Sequence, residues 1–468
     1  MFDVRFGTDG WRARIGHGFT FRNVRRVARA YALFLKKKTR AREIRVLVSH
    51  DTRYLADRFA AEAAKVLSQH HIHVYLPSRD GPAPAMALAV GENKLIGSLA
   101  IVATPDDPAV SGIKLLDANG APALPSLTCL VEHELRRLPE GEVERPQYPE
   151  DAYIHPIAVR SPYLHRLEHL VDFAAIRKAK LRLVVDSLHG TAREYLDKVL
   201  SDRKCEVLAI RNYLGPFGGG PLPSCQRRNL GELAAAVIAR QAHLGFALSL
   251  HGDRFVAFDE RGRMVDPARL MPLVVDYLLG TRGLAGEVVR SVAATSLFDE
   301  VGRAHDREVH EVPVGFKFVA DAMTPAGAVV GVDEVGGAIL SGAGTSRDGM
   351  LFALLVAEMT ARSGLPLSEQ LRSFARSHPS LHRRQVTVPG SPARWKAFQT
   401  LSESRSLGPS AAALPRKVST LDGIKFTFPQ GWLLIRPSGS DPLLRLMAEG
   451  ESPAAAASLL QRGKEALG

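Results

Sequence analysis

The spacing of apolar and polar positions along this chain changes period repeatedly. Phe21, Val24, Val27, Ala28, Tyr31, Phe34 and Leu35 recur at three- and four-residue intervals, which predicts a helix with one buried face. Short apolar runs at 44–48, 72–76 and 96–103 predict three strands in the same region, with helical spacing between them. A second region restarts at 181–185 and 205–210. It continues with runs at 246–250 and 255–258, whose short separation predicts a hairpin-like pair with Ser249, His251 and Gly252 at its tip. A third region carries strands near 288–294 and 329–333 and a helix after Gly315. The last has strands near 385–388 and 432–435 and a closing helix rich in Ala and Leu. Such alternation of strand and helix is the signature of α/β domains. The Pro- and Glu-rich stretch 139–156 reads as a linker, and polar residues at 377–384 mark another boundary; no internal repeat is visible.

Composition narrows the function classes without choosing one. A chain of 468 residues has room for three or four domains, and its 46% hydrophobic and 24% charged content is that of ordinary globular domains. The start lacks a basic-then-apolar leader and no run approaches a membrane span. Cys129, Cys205 and Cys225 are scattered without CxxC spacing, which fits a reducing cytoplasm. The net charge of +12 raises the question of nucleic acid. The arginines are dispersed, however. The densest basic run, Lys36-Lys37-Lys38 with Arg40 and Arg42, closes the first predicted helix, where cations complement the helix dipole. No nucleic-acid motif accompanies it. A basic scaffold or nucleic-acid-binding protein therefore stands only as a second alternative.

Candidate chemistry concentrates in three places. The run Ile435-Arg436-Pro437-Ser438-Gly439-Ser440-Asp441-Pro442 follows a predicted strand. It supplies a guanidinium fork, two hydroxyls and a glycine that lets backbone N–H groups converge, a set suited to a phosphate group; a Pro/Gly turn is the plainer reading. Thr104 ends the third apolar run, at the carboxyl edge where α/β sheets place ligands and nucleophiles. Its β-branch and the following Pro105 favour a structural threonine over a nucleophile. Asp106 and Asp107 read as turn or helix-capping residues, with metal ligation the alternative. In the hairpin tip, Ser249, His251 and Asp253 offer one hydroxyl, one imidazole and one carboxylate. That is a poor magnesium set, and a solvated loop is the default expectation there.

The ordered motifs resemble those of the α-D-phosphohexomutase family, the phosphoglucomutases and phosphomannomutases. They are Phe6-Gly7-Thr8-Asp9-Gly10-Trp11-Arg12, His50-Asp51-Thr52-Arg53, Gly112-Ile113-Lys114, Asp117-Ala118-Asn119-Gly120, Gly315-Phe316-Lys317, Arg347-Asp348-Gly349, Asp422-Gly423 and the Arg436 loop. The resemblance spans nearly the whole chain. It implies three similar mixed α/β domains and a smaller C-terminal α+β domain around a central cleft. On the motif order, these fall at 1–140 (nucleophile loop), 157–262 (metal loop), 263–378 (sugar loop) and 384–468 (phosphate loop). It further implies an intramolecular phosphotransfer between two hydroxyls of a sugar.

Three of the four family loops depart from pattern. Thr104 and Pro105 stand where the family has its phosphoserine and histidine. Ser249 and His251 replace two of three magnesium aspartates, leaving Asp253 with Arg254. Val335, in Asp333-Glu334-Val335-Gly336-Gly337, replaces a sugar-contacting serine. The resemblance places Arg12, Lys114, Arg254, Lys317, Arg436, Ser438, Gly439 and Ser440 around phosphates.

The expectation is a phosphohexomutase-like, cytoplasmic pseudoenzyme that retains a phosphate-binding cleft. It would need no cofactor, would take a phosphorylated small molecule and could take a protein partner, with no nucleic acid and no membrane. The alternative is an active mutase of the glucose or mannose phosphate class, rebuilt on Thr104 and using magnesium. Neither the sugar nor the oligomeric state is legible.

Overall fold

The computed structural model describes residues 4–7, 10–39, 41–102, 107–139, 151–215, 224–407, 414–438 and 442–468. The chain divides into two compact units, one of residues 1–267 with 336–370, the other of 268–335 with 371–468.

The first unit holds two sheets. The larger has six strands in the spatial order Trp11–Arg14, Val110–Leu116, Ser98–Ile101, Arg45–His50, His73–Pro77, Ile154–Ile157. The last four of these run parallel to one another, while Val110–Leu116 is antiparallel to both its neighbours. The predicted helix forms over Phe21–Lys38, N-capped by Thr20 through Asn23 N and ending in Lys36, Lys37 and Lys38. Its predicted face is buried except at Phe21. Lys37 also reaches Glu134 at 2.7 Å.

One expectation fails here. Residues 154–156 read as the end of a linker, yet Ile154–Ile157 is the edge strand beside His73–Pro77. Proline is tolerated on an edge strand. His155 stacks on His73 with a ring nitrogen contact of 2.9 Å, and Tyr153 packs edge-on against His71 and His73.

The second sheet of this unit runs Phe255–Phe258, Leu244–Leu248, Arg182–Asp186, Glu206–Ile210. The predicted hairpin is present, with Phe255 opposite Leu248. The helix Gly349–Ser363 packs on it; glycine is required at 349 because a Cβ there would lie 2.5 Å from the Arg254 backbone carbon.

The second unit pairs a parallel set, Val309–Val312, Glu287–Ser291 and Ala328–Val332, with an antiparallel five-stranded sheet. That sheet runs His382–Pro389, Leu443–Gly450, Gly431–Pro437, Ile424–Phe428, Lys417–Ser419, and the helix Pro453–Leu467 packs on it. Val292 and Ala293 join Trp432, Leu434 and Met447 in one core. Lys425 crosses it to bond Val292 O at 2.8 Å and the Glu311 carboxylate, which also takes Arg290 at 2.9 Å. No single helix among the described residues is long and apolar enough to cross a membrane.

Asp348 provides a pH test of the first unit. Its Oδ1 accepts from Leu351 N at 2.9 Å, capping Gly349–Ser363, and from Tyr163 OH at 2.8 Å. Burial raises its carboxyl to about 6 from an ordinary 3.8, against those hydrogen bonds. A raised carboxyl contributes stability that is complete below the unfolded value and is lost as pH rises through the folded one. Melts of the wild type between pH 4 and pH 7 therefore contain a loss of stability that begins near the ordinary 3.8 and levels off near pH 6, which Asp348→Asn lacks; identical slopes for the two proteins would refute the assignment.

Candidate functional site

The first unit assembles its polar groups at the carboxyl ends of its strands, where the parallel connections leave room for ligands. Just beyond Arg45–His50, Asp51 is buried. Its Oδ1 accepts from Arg53 N at 2.9 Å, and its Oδ2 lies 3.1 Å from His251 Nε2. Thr52 Oγ1 donates to His189 O at 2.9 Å, and Ala83 N donates to His251 O at 2.8 Å. These bonds fasten the loops of the six-stranded sheet to those of the four-stranded one.

The predicted solvated tip is therefore not solvated. Ser249, His251 and Asp253 are 7%, 8% and 6% exposed. Ser249 Oγ donates to Asp253 Oδ1 at 2.6 Å and accepts from Arg254 N at 3.1 Å. Arg347 Nη1 stands 3.7 Å from Asp253 Oδ2, and Arg254 Nε stands 4.0 Å from Oδ1. Burial pushes the Asp253 carboxyl up, but Arg254, Arg347, His251 and Lys114 outweigh it and hold the group far below the usual carboxylate range. The loop is an ionised carboxylate inside a cationic shell.

Lys114 and Arg12 belong to this shell's neighbourhood. They sit on adjacent antiparallel strands, Arg12 opposite Gly112 and Lys114 two residues further along, so both fall on one sheet face. Thr104, Pro105 and Asp106 lie outside the described residues. Asp107 behaves as a turn residue, its Oδ1 accepting from Ala109 N at 2.8 Å.

The second unit brings together another set. Asp422 Oδ2 accepts from Arg436 Nε at 2.9 Å and from Val314 N at 2.9 Å. It thus holds Arg436 beside the segment that leads into Phe316–Met323, which carries Lys317. Gly423, at φ +73°, lets the chain pass with a would-be Cβ only 2.3 Å from Ile435 O. Ser438 Oγ is buried without a hydrogen-bond partner among the described residues, while Ser438 N donates to Leu443 O at 2.8 Å. Gly439 and Ser440 lie outside the described residues. Asp333 is buried and folds its carboxylate onto Val335 N at 3.0 Å, leaving Val335 47% exposed. Lys317 Nζ lies 5.4 Å from the Phe318 ring centre.

Three residues of the ordered motifs, Asp51, Arg53 and Asp422, make loop-fastening hydrogen bonds that the sequence reading did not assign. Their recurrence in those motifs was the only signal. Their partners are distant in the chain, so no local pattern exposed what they do.

Among the described residues, no group of three or more His, Cys, Asp or Glu side chains is placed to hold a metal ion. Oxygen donors remain in the hairpin loop, the Asp253 carboxylate and the Ser249 hydroxyl. Magnesium accepts one or two carboxylates when water and phosphate oxygens complete its octahedron. The loop thus fits magnesium as a minimal set that depends on ligand oxygens.

Models of the four phosphoglucomutase/phosphomannomutase domains match the chain in order. The alpha/beta/alpha domains I, II and III match residues 3–141, 161–262 and 266–377, and the C-terminal domain matches 391–465. A phosphoglucomutase/phosphomannomutase of Thermococcus kodakarensis is 27% identical over 460 residues, covering 98% of this chain and 97% of that one. A phosphoglucosamine mutase of Carboxydothermus hydrogenoformans is 28% identical over 450 residues, covering 95% of each chain. The crystal structure of a Thermus thermophilus protein assigned as a phosphomannomutase matches with a TM-score of 0.84 at 26% identity, covering 99% of this chain and 98% of that one. The chain belongs to the phosphoglucomutase/phosphomannomutase family, with three alpha/beta/alpha domains and a C-terminal domain.

The same comparisons correct the expectation that no cofactor is involved. An Aspergillus fumigatus N-acetylphosphoglucosamine mutase of this fold, TM-score 0.57 at 14% identity and covering 99% of this chain and 95% of that one, was crystallised with GlcNAc-6P and magnesium. The expectation had rested on the loop substitutions alone.

Restoring carboxylates tests the loop. Ser249→Asp with His251→Asp crowds like charges around Asp253, which destabilises the metal-free protein. The double variant melts below the wild type in EDTA, magnesium restores its melting temperature, and its magnesium affinity exceeds the wild type's by about tenfold or more. Equal magnesium responses in the two proteins would show that the loop does not control the ion.

Proposed function

We propose that this member of the phosphoglucomutase/phosphomannomutase family binds a phosphorylated sugar and turns it over as a mutase weakly or not at all. The observation that carries the reading is the metal loop closed on protein partners. Ser249 Oγ is spent on Asp253, and His251 faces Asp51 rather than the loop's own carboxylate. Binding is supported by the second unit, where Asp422 orients Arg436 and Ser438 presents a hydroxyl unsatisfied among the described residues. Arg436 and Ser438 would take one phosphate; Lys317 and Asp333 lie in the same unit as recognition groups for the remainder of the ligand.

Magnesium, when bound, would be held by Asp253 with phosphate and water oxygens, and would neutralise charge on the phosphate. The protein's own part is positioning. Arg254, Arg347 and Lys114 keep Asp253 ionised, and Arg12 presents positive charge from the neighbouring strand. Phosphoryl transfer depends on positioning and charge neutralisation more than on covalent chemistry, so an altered nucleophile and metal loop weaken turnover while leaving anion affinity.

The competing reading is an active mutase rebuilt on Thr104, and it draws support from relatives that carry mutase names. A coupled assay with glucose 1-phosphate, mannose 1-phosphate and glucosamine 1-phosphate, in magnesium and a sugar bisphosphate, decides between them. The proposal expects turnover several orders of magnitude below an ordinary family enzyme, with calorimetric binding of at least one substrate. Turnover near that of the control enzyme, abolished by Thr104→Ala, would overturn it. Arg436→Ala is expected to weaken the binding about 10- to 100-fold, the worth of a charge-assisted hydrogen bond to phosphate.

A further inference from the structure

Arg53 follows the Arg45–His50 strand by three residues, at the ligand-presenting edge of the six-stranded sheet. It is 4% exposed, yet Nε, Nη1 and Nη2 are all buried without a hydrogen-bond partner among the described residues. Its backbone N–H is engaged, on Asp51 Oδ1 at 2.9 Å, but the guanidinium is not. A guanidinium carries five donors and cannot escape burial by losing a proton. An unanswered buried charge is strongly destabilising.

Several buried arginines elsewhere in the chain are answered. Arg290 meets Asp299 at 2.7 Å and Glu311 at 2.9 Å, Arg193 meets Asp80 at 2.9 Å, and Arg25 meets Glu62 at 2.7 Å. Asp51 and Asp107 act on the Arg53 charge through space, which burial outweighs, but their hydrogen bonds go to other groups. Asp51 turns its second oxygen to His251 at 3.1 Å, and Asp107 bonds Ala109 N at 2.8 Å and lies 3.7 Å from Arg14.

We propose that Arg53 is an anion-recognition residue of the first unit, its guanidinium reserved for a phosphate monoester and distinct from the Arg436 loop. Three phosphate oxygens match a planar fork of donors in both charge and geometry. The position suits that ligand. Arg53 is joined through Asp51 to His251, and so to the loop where Asp253 sits among Arg254, Arg347 and Lys114. The monoester is either a phosphosugar or a phosphorylated hydroxyl of this chain. The choice of a sugar phosphate rests on the function proposed above; the anion position itself does not.

The test uses the full chain, treated with phosphatase and checked by intact mass, with inorganic phosphate and glucose 1,6-bisphosphate as probes. Arg436→Ala removes the other phosphate position, so the thermal shift that inorganic phosphate still produces reports on Arg53. That shift is expected to be about 2 °C or more at saturating phosphate. Adding Arg53→Met should abolish it, and adding Arg53→Lys should retain part of it. Without phosphate, Arg53→Met should melt at or above the wild type, because an unanswered buried charge is gone. The inference is overturned if the phosphate shift survives Arg53→Met, or if that variant melts well below the wild type with unchanged phosphate affinity.

Intact mass separates the two sources. A phosphoryl group found before phosphatase treatment assigns the position to a modified side chain of this protein. Its absence, together with bisphosphate binding that Arg53→Met weakens about tenfold or more, assigns it to a free ligand. A wild type that responds to inorganic phosphate but not to the bisphosphate would sink the sugar reading and leave Arg53 standing.

Discussion

The buried carboxylate of Asp51 is the interaction on which the first unit's site depends. One oxygen receives the Arg53 backbone N–H and the other faces His251, so a single side chain fixes a loop of each sheet. Buried ion pairs add little net stability because desolvation offsets their attraction; their best-attested use is to select one register among several. Thr52 and Ala83 reinforce that register through the backbone carbonyls of His189 and His251. Once His251 is held this way, the hairpin loop cannot project into solvent. Ser249 and Asp253 are carried inward with it and satisfy one another.

About half of the strands were legible because short apolar runs alternating with helical spacing are what buried strands in α/β domains require, while Trp11–Arg14, Val110–Leu116, Val309–Val312, Lys417–Ser419, Ile424–Phe428 and Leu443–Gly450 were not read. The predicted runs and observed strands differ mainly at their ends, the least certain part of any element. The strand Ile154–Ile157 was not legible. Its stretch is rich in Pro and Glu, and what makes it a strand is contact with His71 and His73, far back in the sequence. The burial of the 249–253 loop was hidden for the same reason, since the partner of His251 lies 200 residues away. Arg436 could be read as an anion group from its own loop, but its orientation could not, because Asp422 belongs to a different turn.

In the second unit Arg436 is held in one orientation from a neighbouring turn. Asp422 accepts from Arg436 Nε, which directs the guanidinium. Beneath it, Lys425 joins the two sheets by bonding Val292 O and Glu311 and lying 4.8 Å from the Trp432 ring centre. Burial and the Arg290 charge lower the Lys425 pKa to about 8, against the pull of Glu311. Trp432 in turn donates to Glu449 at 2.9 Å and to Ser296 at 3.0 Å. The strand that carries Arg436 therefore stands on a base whose lysine and indole are both paired.

Charge balance separates binding from turnover. In this chain Asp253 sits among Arg254, Arg347 and Lys114, while Asp51 faces His251, and the guanidinium and ammonium groups outnumber the two carboxylates before any ligand arrives. A surplus of fixed positive charge favours a phosphate dianion in its ground state. Rate depends on interactions that are stronger in the transition state than in the ground state, and uniform attraction for both raises affinity without raising turnover. On the function proposed above, Ser249 and His251 would move the site along one physical axis, from moving a phosphate toward holding one.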